Sequence, residues 1–321
     1  TYVRQRKSLT EAASKEVLRM QKSMTLMNIK LDKVISDIMG KSGKLIINAI
    51  LQGERDAKAL VSLADGRLKA SKEDLIKSLE ADWRSEHLFT LRQSYDLHEY
   101  LQSKIKECDH EIERVLTAYK SAEMTELKSE SKNPFKKKQK QKNDFSFDPQ
   151  SQLKNIYGID VTQIPGISSL SAVTILSETG NDLKNKFPTQ KRFVSWLNLV
   201  PNNKITGGKI ISSKIKKKKN KAGQSFRLAA NALKESKCPI GDYFRKVKSR
   251  EGHGRAIIAT AKKLAGLFYK LVTEHIEFDF DVYQQANRKL LVKQLTRLNK
   301  RVIEIQNQIL KTSDNLELAI T

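Results

Sequence analysis

The stretch ASKEVLRMQKSMTLMNIKLDKVISDI, residues 13–38, decides how this chain is read. Its apolar positions Ala13, Val17, Met20, Met24, Met27, Leu31, Val34 and Ile38 alternate spacings of four and three. That is the period of a helix seam packed against another helix. Gly40 and Gly43 follow, and glycines there are expected to end the run. A shorter amphipathic stretch, Leu45 to Leu51, comes next, and Ser71-Lys-Glu-Asp-Leu75 offers a capped helix start. A second long seam uses Leu88, Leu91, Tyr95, His98, Leu101, Ile105, Cys108, Ile112 and Val115. Two such seams predict an antiparallel helical hairpin.

Composition points to a polyanionic partner. Lysine and arginine number 60 against 36 acidic residues, a formal charge of +24 and a pI near 9.8. A chain this positive repels itself unless a polyanion neutralises it, and phosphate backbones are the usual one. No stretch approaches the ~20 apolar residues of a spanning helix, and no signal-peptide pattern stands out, so nucleic acid is preferred to a membrane surface. The hairpin is therefore also readable as a coiled coil. Its basic outer face, Arg4, Arg6, Lys7, Lys22, Lys30 and Lys33, would hold nucleic acid or another protomer. Cys108 and Cys238 lack metal-ligand spacing, which argues for a reducing cytosol and against a zinc module or disulfide scaffold. Because the chain opens inside a helical pattern, it reads as the later portion of a longer protein.

Four regions are expected. Residues 1–120 form the helical region, for nucleic-acid binding or dimerisation. Residues 121–150 form a flexible linker, with Asn133-Pro134-Phe135 followed by Lys136, Lys137, Lys138, Lys140 and Lys142. Residues 151–278 form a second domain. Residues 279–321 form an amphipathic helix, with Leu291, Leu295, Leu298, Val302, Ile305 and Ile309 again at alternating spacings. Strand signal is slight, the clearest candidate being Gly208–Ser213, so the fold class is mainly α, with a helix-hairpin-helix in the second domain.

Three segments of that domain carry chemistry. In Ile164-Pro165-Gly166-Ile167-Ser168, a tight turn enters a helix rich in small side chains. In a helix-hairpin-helix such a turn offers backbone N–H groups to a phosphate, which would make Gly166 and Ser168 contacts; an ordinary helix–turn–helix connection has the same look. The second segment, Phe193 to Lys209, ends an apolar helix at Pro201 and then places Thr206 before Gly207 and Gly208. Lys204, Lys209 and Lys214 surround the loop, with Lys216 to Lys219 and Lys221 beyond. Composition favours a phosphate-binding loop over a hydroxyl nucleophile, which would need an activating base or metal. In the third, Asn220 to Tyr269, Arg227, Arg245 and Arg255 line helices rich in small residues, and His253 sits between glycines as a candidate acid or base or a solvated turn histidine.

These segments, in this order, resemble the C-terminal domain of the insertion-sequence-110 family of transposases, recombinases guided by a bridge RNA. The resemblance is carried by Leu199-Val-Pro201…Gly207 and by Gly252-His-Gly-Arg-Ala-Ile257. The N-terminal helices are similar to the family's coiled coil at Arg4-Gln-Arg-Lys-Ser-Leu9 and Met20-Gln-Lys-Ser-Met24. The resemblance implies a RuvC-like nuclease domain ahead of the coiled coil, whose four acidic residues bind divalent metal; that domain has no counterpart here, so Mg2+ is expected only through it. It further implies guide RNA on the basic helical face, DNA on the second domain, and a homo-oligomer, dimer or tetramer, in the prokaryotic cytoplasm or nucleoid. The family's nucleophile is a serine five residues after the proline and just before a glycine, the position that Thr206 holds here. The other reading is a noncatalytic RNA-guided scaffold in a ribonucleoprotein.

Overall fold

Apolar residues at helical spacing draw Tyr2–Leu26 (α1) against the far longer Ser85–Ala118 in a computed structural model that describes residues 1–65, 70–119, 142–215 and 220–317. Between them run α2 (Leu31–Val34), α3 (Lys41–Gln52), α4 (Ala57–Ser62) and α5 (Lys72–Ser78), which make the Ser85–Ala118 helix α6. Residues Thr1–Ala118 and Phe145–Phe147 cluster as one unit. Within it α1 and α6 are antiparallel: Arg6 meets Asp109 at one end and Ser23 meets Thr90 at the other. Met20, Met24, Met27, Leu31, Ile38, Ile46, Ile50, Leu91 and Tyr95 share one core.

The first seam is not one helix. Asn28 takes a left-handed φ of 61°, the Ile29 N–H returns to the Met24 carbonyl, and the Lys30 and Asp82 amides pair with Ser78 and Met27. Leu31, Val34 and Ile38 thus reach the same core from separate segments. Nor do the glycines end a helix. Gly40 is the N-cap of α3, and Gly43 lies inside α3, where a Cβ would stand 2.1 Å from the Ile38 carbonyl oxygen. Close backbone approach explains Gly43. Ser71 does cap α5, its hydroxyl accepting from the Asp74 amide at 3.1 Å.

Arg6 was expected on an outer face, and it is buried at 5% exposure. Its Nε donates to Asp109 Oδ1 at 2.5 Å, and its guanidinium lies 4.5 Å from the Phe145 ring centre. Asp109 Oδ2 accepts from the Ser146 amide at 2.9 Å. Burial of both charges is tolerable only because each is paired. This also corrects the linker: residues 145–147 pack on the helical hairpin, and Gln150 already begins α7. Residues 120–141, with Lys136 to Lys140, lie outside the described residues.

The second unit holds α7 (Gln150–Tyr157), a 3-10 turn (Val161–Gln163), α8 (Ser169–Thr179), α9 (Leu183–Lys186) and α10 (Gln190–Trp196). The strands β1 (Lys204–Thr206) and β2 (Lys209–Ser212) follow, then α11 (Lys221–Ala232), α12 (Pro239–Glu251), α13 (His253–Glu274) and α14 (Phe280–Glu317). The core of this unit is aromatic, with Tyr157, Phe193, Phe226 and Phe268 fully enclosed and ring centres 5.5–6.3 Å apart along the chain of contacts. Tyr269 on α13 donates its hydroxyl to the Phe187 carbonyl at 2.6 Å. The fold is mainly α; among the described residues the sheet is one antiparallel pair. No described helix is long and apolar enough to cross a membrane.

Candidate nucleic-acid interface

Two glycines in succession allow a two-residue hairpin loop, because both central positions of a type I′ turn need positive φ. Gly207 and Gly208 take φ values of 54° and 73° and join β1 to β2, with Thr206 opposite Lys209 and Ile205 opposite Ile210. The glycine-rich loop is therefore the tip of a β-hairpin. Directly opposed residues share a face of a sheet and neighbours alternate, so the Thr206 hydroxyl and the Lys209 ammonium stand on one side. Lys204, Thr206, Gly207, Gly208, Lys209 and Lys214 are all exposed, as are Ile205 (61%), Ile210 (57%) and Ile211 (69%). Nothing lies within 4 Å of where a Cβ would be at either glycine. The strand expected over 208–213 is β2, one residue shorter at each end.

The base of the hairpin is held as firmly as its tip is free. The Asn202 amide donates to the Lys214 carbonyl at 3.1 Å and closes the two arms. Asn220 caps α11 by accepting from the Gly223 amide at 2.8 Å, and its side-chain NH2 donates to the Trp196 carbonyl at 2.9 Å. Gly223 lets α11 approach the end of α10, since a Cβ there would sit 2.1 Å from the Leu197 oxygen. Arg227, expected on an exposed DNA-facing surface, is half-buried and donates to the Asn198 carbonyl at 2.8 Å. It positions the chain entering the hairpin. Asn220 and Gly223 carry the same duty and went unread, although an Asn followed three residues later by a small helical residue is a recognisable cap.

Gly207→Val is expected to undo the hairpin. A β-branched residue in the left-handed region costs about 1–2 kcal/mol, and an isolated two-stranded hairpin is marginal in water to begin with. Amide exchange should show at least tenfold lost protection across 204–212 with α11 unchanged. Unaltered protection would mean that the hairpin is held by something other than its turn.

The remaining expected DNA contacts divide. Gly166 has φ 82° and is exposed at its turn, but a Cβ would meet the Ala229 carbonyl oxygen at 2.9 Å, so packing on α11 also demands glycine there. Ser168 is the N-cap of α8, its hydroxyl accepting from the Ser171 amide at 3.2 Å. Arg245 donates to the carbonyls of Lys234 and Ser236 and pairs with Asp242, which ties α12 to the end of α11. Arg255 is exposed near the start of α13. His253, also exposed, stacks edgewise on Phe244 at 5.6 Å.

In the first unit, Arg4 and Lys22 are exposed and lie eighteen residues apart on α1, five full turns, so they share a side, with Lys7 close by and 3.8 Å from Glu11. Lys30 and Lys33 border an open cavity of about 540 Å³ whose wall also holds Lys77, Asp74 and Ser78. Lys77 was missed because α5 comes beside α2 through tertiary contacts, the Lys30–Ser78 backbone bond and a shared apolar core, that spacing along the chain does not show. Among the described residues, no group of three or more His, Cys, Asp or Glu is placed to hold a metal ion.

Residues 160–240, about a quarter of the chain, match the model of the transposase IS116/IS110/IS902 family, and they run from the 3-10 turn through the hairpin into the start of α12. No curated protein and no solved structure matches the chain significantly.

Proposed function

We propose that this chain, whose residues 160–240 are a transposase IS116/IS110/IS902 family segment, is a transposase or recombinase of a mobile element in which guide RNA selects the DNA. What carries the reading is the exposed hairpin within that segment, with Thr206 and Lys209 on one side of a tip braced by Asn202, Asn220 and Arg227. A hydroxyl that must reach a phosphodiester needs such a free tip on a fixed base. The attack would join Thr206 Oγ1 to phosphorus and release the displaced deoxyribose oxygen, while Lys204, Lys209 and Lys214 offset phosphate charge. Guide RNA would lie on Arg4, Lys7, Lys22, Lys30 and Lys33, with Lys77 added to that set. Mg2+ would enter only with carboxylates beyond the described residues. The side chains around Thr206 do not fit a metal ion, and no step is drawn through one. A homo-oligomer, dimer or tetramer, acting in the prokaryotic cytoplasm completes the reading.

The scaffold alternative, a noncatalytic RNA-guided binding protein, is favoured by one observation: no described acid or base is hydrogen-bonded to the Thr206 hydroxyl. The full-length gene product, given guide RNA, divalent metal and a nicked target duplex that traps the intermediate, is expected to become covalently attached to DNA. Retained, salt-sensitive binding without any detergent-resistant adduct would leave the scaffold reading standing.

A further inference from the structure

Among the described residues, the helix α14 is anchored at its beginning. Phe280 is buried, Phe278 and Tyr283 stack at 5.8 Å, and the Lys263 ammonium lies 5.8 Å from the Tyr283 ring centre. Burial pushes the Tyr283 phenol up to about 12. Beyond that foot, every residue from Leu291 to Ile309 is exposed on all sides of the helix. Leu291, Leu295, Leu298, Val302 and Ile305 are 46–62% exposed. A single helix with such a stripe has no reason to persist in water, since most helical stability in proteins comes from packing an apolar face.

We propose that α14 pairs with α14 of a second copy of this chain as a parallel, two-stranded coiled coil. The spacings four, three, four, three, four from Leu291 to Ile309 place Leu295, Val302 and Ile309 at one core position of a heptad and Leu291, Leu298 and Ile305 at the other. β-branched residues at the first position with leucine at the second favour parallel dimers, and two of three residues at each position comply. The flanking positions identify the occupant. Val292, Asn299 and Gln306 stand on one flank of the seam, and Gln294, Arg301 and Gln308 on the other. In a parallel pair Gln294 faces Asn299 of the second copy, and Arg301 faces its Gln306. A second copy therefore meets no like charge, whereas a different partner would find no charge pattern to recognise. Lys293, Arg297 and Lys300 fall on the outer side and stay in water. The pairing rests on the seam alone and does not require the transposase reading.

The test uses the whole chain in a Cys108→Ser background, stripped of nucleic acid by nuclease and high salt; Cys238 is buried. Leu298→Cys, at the seam, is expected to give at least tenfold more disulfide-linked dimer on mild oxidation than Lys300→Cys, on the outer side. Adding Val302→Glu should cut that yield at least tenfold. Equal yields for the two cysteines, or a yield indifferent to the glutamate, would overturn the pairing. Mixed Leu291→Cys and Ile309→Cys chains should not cross-link, because parallel strands hold these positions about 27 Å apart at 1.5 Å per residue; a mixed dimer would show an antiparallel pair instead and overturn the proposal. Because the sample carries no DNA, failure here bears on the seam, and failure of the covalent adduct bears on Thr206.

Discussion

Asp109→Ala is expected to destabilise the first unit by about 3–5 kcal/mol, the usual consequence of removing one partner of a buried ion pair. The Arg6 and Asp109 side chains are 6% and 3% exposed, so the pair lies out of reach of bulk water. The substitution also removes the Asp109 acceptor of the Ser146 amide and loosens residues 145–147 from the helical hairpin. Arg6→Ala should cost about as much, because it removes the cation–π contact with Phe145 together with the ion pair, while Asp109 keeps the Ser146 amide as a donor. Replacing both, Arg6→Met with Asp109→Leu, should recover most of the loss, since a well-packed apolar pair is often as stable as the ion pair it replaces. The two tryptophans make the measurement specific. Trp83 reports the first unit and Trp196 the second, so a Trp196→Phe background follows the first unit alone. A midpoint shift on the order of 10 °C or more is expected. A cost under about 1 kcal/mol, the scale of an exposed pair, would mean that Arg6 is solvated and belongs to the basic face after all.

That pair marks the limit of what the amino-acid pattern discloses. Helical period is local, so α1, α3, α6 and α14 were legible from spacing, as was the Ser71 cap. Period does not say which segment delivers a residue to the core. The seam from Ala13 to Ile38 keeps its rhythm across a chain reversal at Asn28 because Leu31, Val34 and Ile38 serve the same core from another direction. Charge is the hardest to place. Arg6, Arg227 and Arg245 look like Lys22 or Arg255 in a list of cations, yet their partners are an aspartate 103 residues away and carbonyls at helix ends. Lysine behaves differently. Lys204, Lys209 and Lys214 are exposed, in keeping with a strongly hydrated ammonium that seldom finds buried partners. The glycine loop was legible as a tight approach of backbone and not as a hairpin, since paired positive φ serves a phosphate cradle and a type I′ turn alike.

Thr206→Ala is expected to abolish the covalent protein–DNA adduct, by roughly 10³-fold or more, as loss of a nucleophile does elsewhere. Binding of the same DNA should change by no more than about twofold, because the exposed Thr206 side chain contributes nothing to the hairpin turn, which Gly207 and Gly208 set, and the lysines around it remain. Thr206→Ser separates the hydroxyl from the side chain that carries it. Threonine's Cγ2 methyl restricts χ1, and on an exposed strand the preferred rotamer is set by the pleat and not by the phosphodiester. Serine keeps the oxygen and removes the restriction, so the adduct should form at least as fast. An adduct that survives in the alanine variant would assign the attack to another hydroxyl. Ser212 and Ser213 are the nearest along the chain, and peptide mapping of the adduct would distinguish them. Equal losses of adduct and of binding in the alanine variant would instead make Thr206 a contact that holds DNA, and the hairpin a clamp with no bond-forming role.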